Sequence, residues 1–180
     1  EMLRSLVGSE MCIRDSYYRE GASINNFSSC LPASQSSLAQ ELTKDPYNFD
    51  FLTLRDGYLE RELEDALTDN ITKFLIELGN GFAYVGRQVR LEVGGDEFFI
   101  DLLFYHLKLR SYVVIELKTG DFQPEYIGKL GFYVSAINHE MKLPQDNPTI
   151  GLLICKSKNN IVARYTLDTA NLPSVSLNMN

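Results

Sequence analysis

Cysteine, histidine and basic charge are all scarce in this 180-residue chain, and each shortage removes a class of function. The three cysteines, Cys12, Cys30 and Cys155, are odd in number and widely spaced, so neither a disulfide framework nor a CxxC metal knuckle is available. Reducing surroundings are the expectation. The two histidines, His106 and His139, have no ligand-spaced cysteine and give no zinc motif. His106, beside a turn signal, is expected to be exposed. No apolar run approaches the roughly 20 residues that a membrane helix needs, and no charged-then-apolar leader opens the chain. We therefore expect a soluble, cytoplasmic protein with no membrane partner. GxSxG elbows and P-loops are also missing. The formal net charge of −7 argues against a nonspecific grip on nucleic acid, because phosphate contacts need Lys and Arg.

What is present is apolar and aromatic: 44% hydrophobic residues, with 10 Phe and 10 Tyr, suffice for the core of one domain. Charge is uneven. Glu60, Glu62, Glu64, Asp65 and Asp69 crowd one segment, whereas Arg87, Arg90, Lys108, Arg110, Lys118 and Lys129 leave a local basic face open. Residues 1–43 lack sustained periodicity and are rich in Ser, Asn and Gln, so they read as linker without a core. The opening "LRSLVGSEMCIRDS" resembles a translated sequencing adapter more than a protein segment, which implies that the native start is missing. The folded domain is expected over residues 44–180.

In "YLERELEDALTDNITKFLIELG", Leu59, Leu63, Ala66, Leu67, Ile71, Phe74, Leu75 and Leu78 recur at helical spacing, which predicts one helix stopped by Gly79. Glycines that follow a helix in this way act as a cap rather than a dinucleotide loop, which opens one. Three strands follow, "FAYVGRQVRLEV", "EFFIDLLFYH" and "SYVVIEL", joined by a Gly94-Gly95 hairpin and a short basic break. A helix over "PEYIGKLGFYVSAINHEM" and a buried strand, "TIGLLICK", complete the pattern. The aromatics Phe98, Phe99, Phe104 and Tyr105 are expected in the core rather than on bases.

Charge sits inside two of these strands. Asp101 interrupts the apolar run from Phe98 to Phe104, and Glu116 and Lys118 share one face of "VVIELKTG" because side chains alternate along a strand. If the second hairpin turns near Lys108 and Leu109, Asp101 faces Glu116 with Cβ atoms about 5 Å apart. Two carboxylates suit Mg²⁺, which takes one or two of them plus water and substrate phosphate. Such an ion lowers the pKa of its water, while Lys118 orients that water or balances charge at phosphorus. The competing possibility is an ion pair that satisfies itself; it leaves one carboxylate unmatched.

The order Asp101, then Glu116-Leu117-Lys118, within helix, three strands, helix and strand resembles the PD-(D/E)XK nuclease superfamily. "RELEDALTDN", "GFAYVGRQ", "DLLFYH", "IELKTGDFQPEYIGK" and "DNPTIGLLICKSK" together resemble the YhcG-like family of bacterial predicted nucleases, from about Leu38 to Tyr165. The resemblance implies an α/β fold with a restriction-endonuclease-like core, a central mixed sheet flanked by helices. It implies Asp101 and Glu116 as metal ligands, Lys118 as the catalytic lysine, and a helix glutamate as a further ligand. Glu64 matches that last position best, with Glu62 and Glu77 as rivals. Lys129 and Tyr133 lie where related nucleases often show Gln and Tyr, so Lys129 is expected on phosphate. Arg87 and Gln88 of "GFAYVGRQ" are expected on the same nucleic-acid-binding side. A helical domain normally precedes this nuclease domain; "LPASQSSLAQELTKDPYNFDFL" reads as its tail, and partners of that domain are lost with it. The end, "ARYTLDTANLPSVSLNMN", departs from the family's usual finish.

The expected function is a metal-dependent endonuclease that hydrolyses DNA with Mg²⁺, or with Mn²⁺ in its place. The alternatives are a nuclease-derived module that binds nucleic acid or a protein without cutting, and an interaction domain with buried ion pairs. DNA against RNA, and a homodimer against a monomer, stay open at the level of sequence.

Overall fold

A computed structural model describes residues 23–180. In chain order its elements are β1 (Ile24–Asn25), α1 (Phe27–Cys30), α2 (Ala33–Leu42), α3 (Glu60–Asp69), α4 (Ile71–Leu78), β2 (Phe82–Val93), β3 (Asp96–His106), β4 (Ser111–Asp121), α5 (Pro124–Glu140), β5 (Ile150–Ser157), α6 (Asn160–Thr169) and β6 (Ser174–Asn178). The strands form one six-stranded mixed sheet in the order β1-β6-β5-β4-β3-β2. Pairing is antiparallel from β2 to β4 and between β1 and β6, and parallel from β4 through β5 to β6.

Helices cover both faces of the sheet. Leu63 and Leu67 of α3 and Phe74 and Leu78 of α4 pack with Leu102, Phe104, Val113, Ile115 and Leu117 on one side. Ile127, Leu130, Val134 and Ile137 of α5 and Ala163 and Leu167 of α6 pack with Leu103, Val114 and Leu153 on the other. Buried on two faces, β4 and β5 read as nearly continuous apolar runs, as parallel strands do. No helix among the described residues is long and apolar enough to cross a membrane.

The Gly94-Gly95 turn forms as expected. Its residues take φ of 64° and 91°, the positive values that a two-residue hairpin twisted like its strands requires. In the second hairpin His106 pairs with Ser111, so the turn centres on Lys108 and Leu109.

Four expectations are corrected. The long helix is two, α3 and α4, broken at Asn70 (φ −107°, ψ 33°), whose side-chain amide donates to the Ala66 carbonyl at 2.9 Å and competes with the helical ladder. His106 is fully buried: its Nδ1 accepts from Leu109 N–H at 3.1 Å, its Nε2 lies 3.1 Å from the Asn80 carbonyl, and Phe82 packs edge-on to it. Phe104 enters the core, but Phe99 is 42% exposed.

Residues 23–43 are not linker. Phe27, Leu31 and Ala39 lie in the core, and β1 extends the sheet. Buried Asn26 ties this segment down, donating to the carbonyls of Leu172 at 3.0 Å and Ala170 at 3.2 Å and accepting from Ser174 N–H at 2.8 Å. Ser28, Ser29, Ser34 and Ser37 form its solvent face, while Asn26 and Ser36 are buried. Cys12 and the adapter-like opening lie outside the described residues.

Candidate active site

The β3–β4 ladder ends at Leu102–Ile115, one residue before Asp101 and Glu116 become opposed. From there β4 continues against β5 alone, as far as Lys118–Cys155 before the register shifts. The sheet therefore forks, and the fork exposes the backbone N–H of Leu117. Asp101 closes this gap: its Oδ2 accepts that N–H at 2.9 Å in place of a strand carbonyl. The charged residues that break the apolar pattern are thus the residues at the point where two strands part.

Glu116 is fully buried on the α5 side. Its Oε1 lies 2.5 Å from Lys129 Nζ and 3.3 Å from Lys118 Nζ, while its Oε2 is buried with no hydrogen-bond partner. Lys118 extends to Glu60 Oε2 at 3.1 Å and sits 5.3 Å above the Tyr126 ring. Lys129 sits 5.4 Å above the ring of buried Tyr133. Asp101 makes no ion pair among the described residues. Burial foremost, and then the charge of Glu116, pushes its carboxyl up to about 6, against the pull of Leu117 N–H, Lys129 and Lys118. Burial pulls the Lys118 ammonium down, but Glu116 and Glu60 outweigh it and the net shift is upward, so Lys118 is a fixed cation at neutral pH.

On the α3 side a cleft of about 320 Å³ is lined by Glu60, Glu64, Asp65, Arg87, Gln88 and Asp101, together with Arg61. Of the three candidate glutamates, Glu64 is the one that reaches it. Its rivals face elsewhere: Glu62 caps α3 through Leu59 N–H and pairs with Arg55, and Glu77 accepts from Asn48 N–H. Burial raises the Glu64 carboxyl, and the Gln88 amide, 2.6 Å from its Oε2, works against that rise.

The four candidate nucleic-acid residues do not form an open basic face. Lys129 is held by Glu116, Arg87 by Asp65 and Gln88 by Glu64, and Tyr133 lies under Lys129. Nor do Asp101, Glu116 and Glu64 converge: among the described residues no group of three His, Cys, Asp or Glu side chains is placed to hold a metal. The pair at the fork is nonetheless suited to a divalent cation, for among the described residues Glu116 Oε2 has no hydrogen-bond partner and Asp101 no ion pair. Glu60 and Tyr126, the residues that hold Lys118, were not assigned to the site from sequence. Each had a signal, since Glu60 lies one turn before Glu64 on α3 and Tyr126 three residues before Lys129 on α5.

The model of the YhcG PDDEXK nuclease domain matches residues 40–177. The chain belongs to this family. It is 39% identical over 146 residues to YhcG of Escherichia coli (strain K12), an alignment that covers 81% of this chain and 38% of that protein. The chain thus spans about two fifths of the length of this relative. Among solved structures it is similar to a repair endonuclease from Pyrococcus abyssi (TM-score 0.43, 19% identity, 70% of this chain and 48% of the other). It is also similar to EndoMS in a dsDNA complex (TM-score 0.46, 19% identity, 70% of this chain and 49% of the other). Family membership and the mixed, helix-flanked sheet agree with what the residue pattern implied.

Proposed function

We propose that this domain is a divalent-metal-dependent endonuclease acting on DNA, with Asp101, Glu116 and Lys118 at its centre. The observation that carries this reading is the pair at the fork: a half-buried carboxylate with no ion pair among the described residues, beside a fully buried one with an unpartnered oxygen. An ion pair kept only for stability has no reason to leave either group in that state. Charge balance adds support. Around the fork, Glu60, Glu64, Asp65, Asp101 and Glu116 face Arg61, Arg87, Lys118 and Lys129, a surplus of acid that repels phosphate until a cation offsets it. DNA as the substrate follows from the resemblance to PD-(D/E)XK nucleases.

Asp101 and Glu116 would hold Mg²⁺ or Mn²⁺, with Glu64 on the facing wall. The bound ion supplies an activated water and a positive charge at the scissile phosphate. Lys118 stays protonated, so it acts by charge: its ammonium hydrogen-bonds the attacking water or the phosphate and offsets the negative charge gathering at phosphorus. Glu60 and the Tyr126 ring hold that ammonium in place. Lys129, half exposed, is free to exchange Glu116 for a phosphate oxygen. A P–O bond forms to the water and the opposite P–O bond breaks; the water's proton passes to solvent and the leaving oxygen takes one back.

The test is incubation of the purified chain with supercoiled, linear and branched DNA and with RNA, in Mg²⁺, Mn²⁺ or chelator. Cleavage is expected with metal only, and Asp101→Asn, Glu116→Gln and Lys118→Ala should each lower it about a hundredfold or more. The losses should be far from additive, because the three act as one unit. Cleavage in chelator, or full activity in any of these variants, overturns the reading. Binding without cleavage under every condition favours the non-cutting module.

A further inference from the structure

One residue of the cleft holds a backbone conformation that its side chain does not favour. Gln88 has φ of 45°, and Arg110, in a hairpin turn, is the other non-glycine with positive φ among the described residues. A left-handed residue in a turn is ordinary; one inside a twelve-residue strand is strained and persists only where the surroundings impose it. The strand is irregular just before it. The β2–β3 register shifts by one between Tyr84 and Gly86, and the ladder passes from Arg87–Leu102 to Val89–Ile100 without pairing Gln88 to Asp101. Bulges beside active sites commonly re-aim a side chain. Here the side chain so aimed reaches α3: Gln88 Nε2 donates to Glu64 Oε2 at 2.6 Å, and the preceding Arg87 pairs with the following Asp65. Two consecutive residues of the bulged strand clasp two consecutive residues of the helix.

We infer that Gln88 is a positioning residue, whose amide holds the buried Glu64 carboxylate on the wall of the cleft it shares with Asp101, within call of the cation that Asp101 would bind. The inference rests on the proposed function and assigns Gln88 to the site rather than to the nucleic acid. A Gln amide suits this task because it donates without adding charge; Lys or Arg there would neutralise Glu64 and compete with the cation. Partners that orient a metal-binding group typically change metal affinity by about 10- to 100-fold when removed.

Gln88→Gly separates positioning from stability, because glycine takes positive φ freely while the amide is lost. The full chain, its Gln88→Gly variant and its Asp101→Asn variant are titrated with Mn²⁺ by calorimetry, and each is melted in chelator. We expect Gln88→Gly to melt at or above the parent in chelator and to bind Mn²⁺ about tenfold or more weakly, with Asp101→Asn losing the site altogether. If the parent binds Mn²⁺ and Gln88→Gly binds it equally well, the inference fails and the proposed function stands. If Gln88→Gly melts well below the parent with unchanged Mn²⁺ affinity, the amide is structural and the inference fails likewise. A parent with no response to Mn²⁺ removes the proposed function and the inference with it.

Discussion

At the residue scale the site is governed by how few cations are shared among its carboxylates. Glu116 draws both Lys118 and Lys129 to one oxygen, and its other oxygen has no hydrogen-bond partner among the described residues. Removing Lys129 therefore has effects of opposite sign. In chelator, Lys129→Ala should lower stability only slightly, on the order of 1 kcal/mol, because its ammonium is half exposed and screened. Divalent affinity should rise, since one of two ammonium groups repelling the ion is gone. DNA affinity should fall and its salt dependence become shallower, as for one lost phosphate contact. Calorimetry with Mg²⁺ and binding at several salt concentrations check this. An unchanged salt slope would move Lys129 off the DNA face, and weaker Mg²⁺ binding would mean that Lys129 helps the cation rather than excluding it.

At the element scale the site depends on a fork, a bulge and a strap. The fork brings the α3 and α5 sides together at Asp101 and Glu116, and the bulge in β2 turns Arg87 and Gln88 toward α3. The strap is β1 with α1, held against α6 and β6 by Asn26. Asn26→Ala leaves the carbonyls of Ala170 and Leu172 and the N–H of Ser174 short of a partner in a buried setting, at a cost on the order of 2–3 kcal/mol. Urea melts should show that loss. Hydrogen exchange should quicken around Ile24, Asn25 and Ser174 while β3 and β4 stay protected, because the site lies on the far half of the sheet. Fast exchange at Glu116 in the variant would show instead that the strap supports the site.

At the scale of the whole molecule, stability should depend on pH through groups of opposite sign. Asp101 titrates near 6, above its ordinary 3.8. The unfolded chain therefore gives up this proton more readily than the folded one. The stability associated with it is full below the ordinary value and is lost as pH rises through about 6; Glu64, also raised, adds in the same direction. Buried His106, lowered from 6.5, contributes stability above that value and loses it as pH falls. Asp101→Asn keeps an acceptor for Leu117 N–H but not the charge. In chelator it should melt together with the parent near pH 4 and several degrees above it at pH 7. Added Mg²⁺ should stabilise the parent alone, by about 2.7 kcal/mol at a hundredfold excess over its dissociation constant. A mutant that melts well below the parent at pH 7, with neither responding to metal, would leave Asp101 and Glu116 as structural groups.

The order of the central elements, the glycine hairpin and the nearness of Asp101 to the Glu116–Leu117 level of the next strand were legible in sequence alone, because strand alternation and turn length fix which residues come level with each other. The family was legible too, through motifs that cover most of the chain. Tertiary structure decided what local periodicity does not encode. The polar segment from Ser23 to Thr43 joins the core because Asn26 and Phe27 find partners in α6, β6 and the first layer, more than a hundred residues away for Asn26. His106 is buried because the loop before β2 folds over it. Among three similar acidic residues, Glu64 reaches the cleft through the packing angle of α3, while Glu62 and Glu77 are spent on backbone N–H groups. Pairing between charges is set by distances across elements, and a sequence carries those only after the chain has folded.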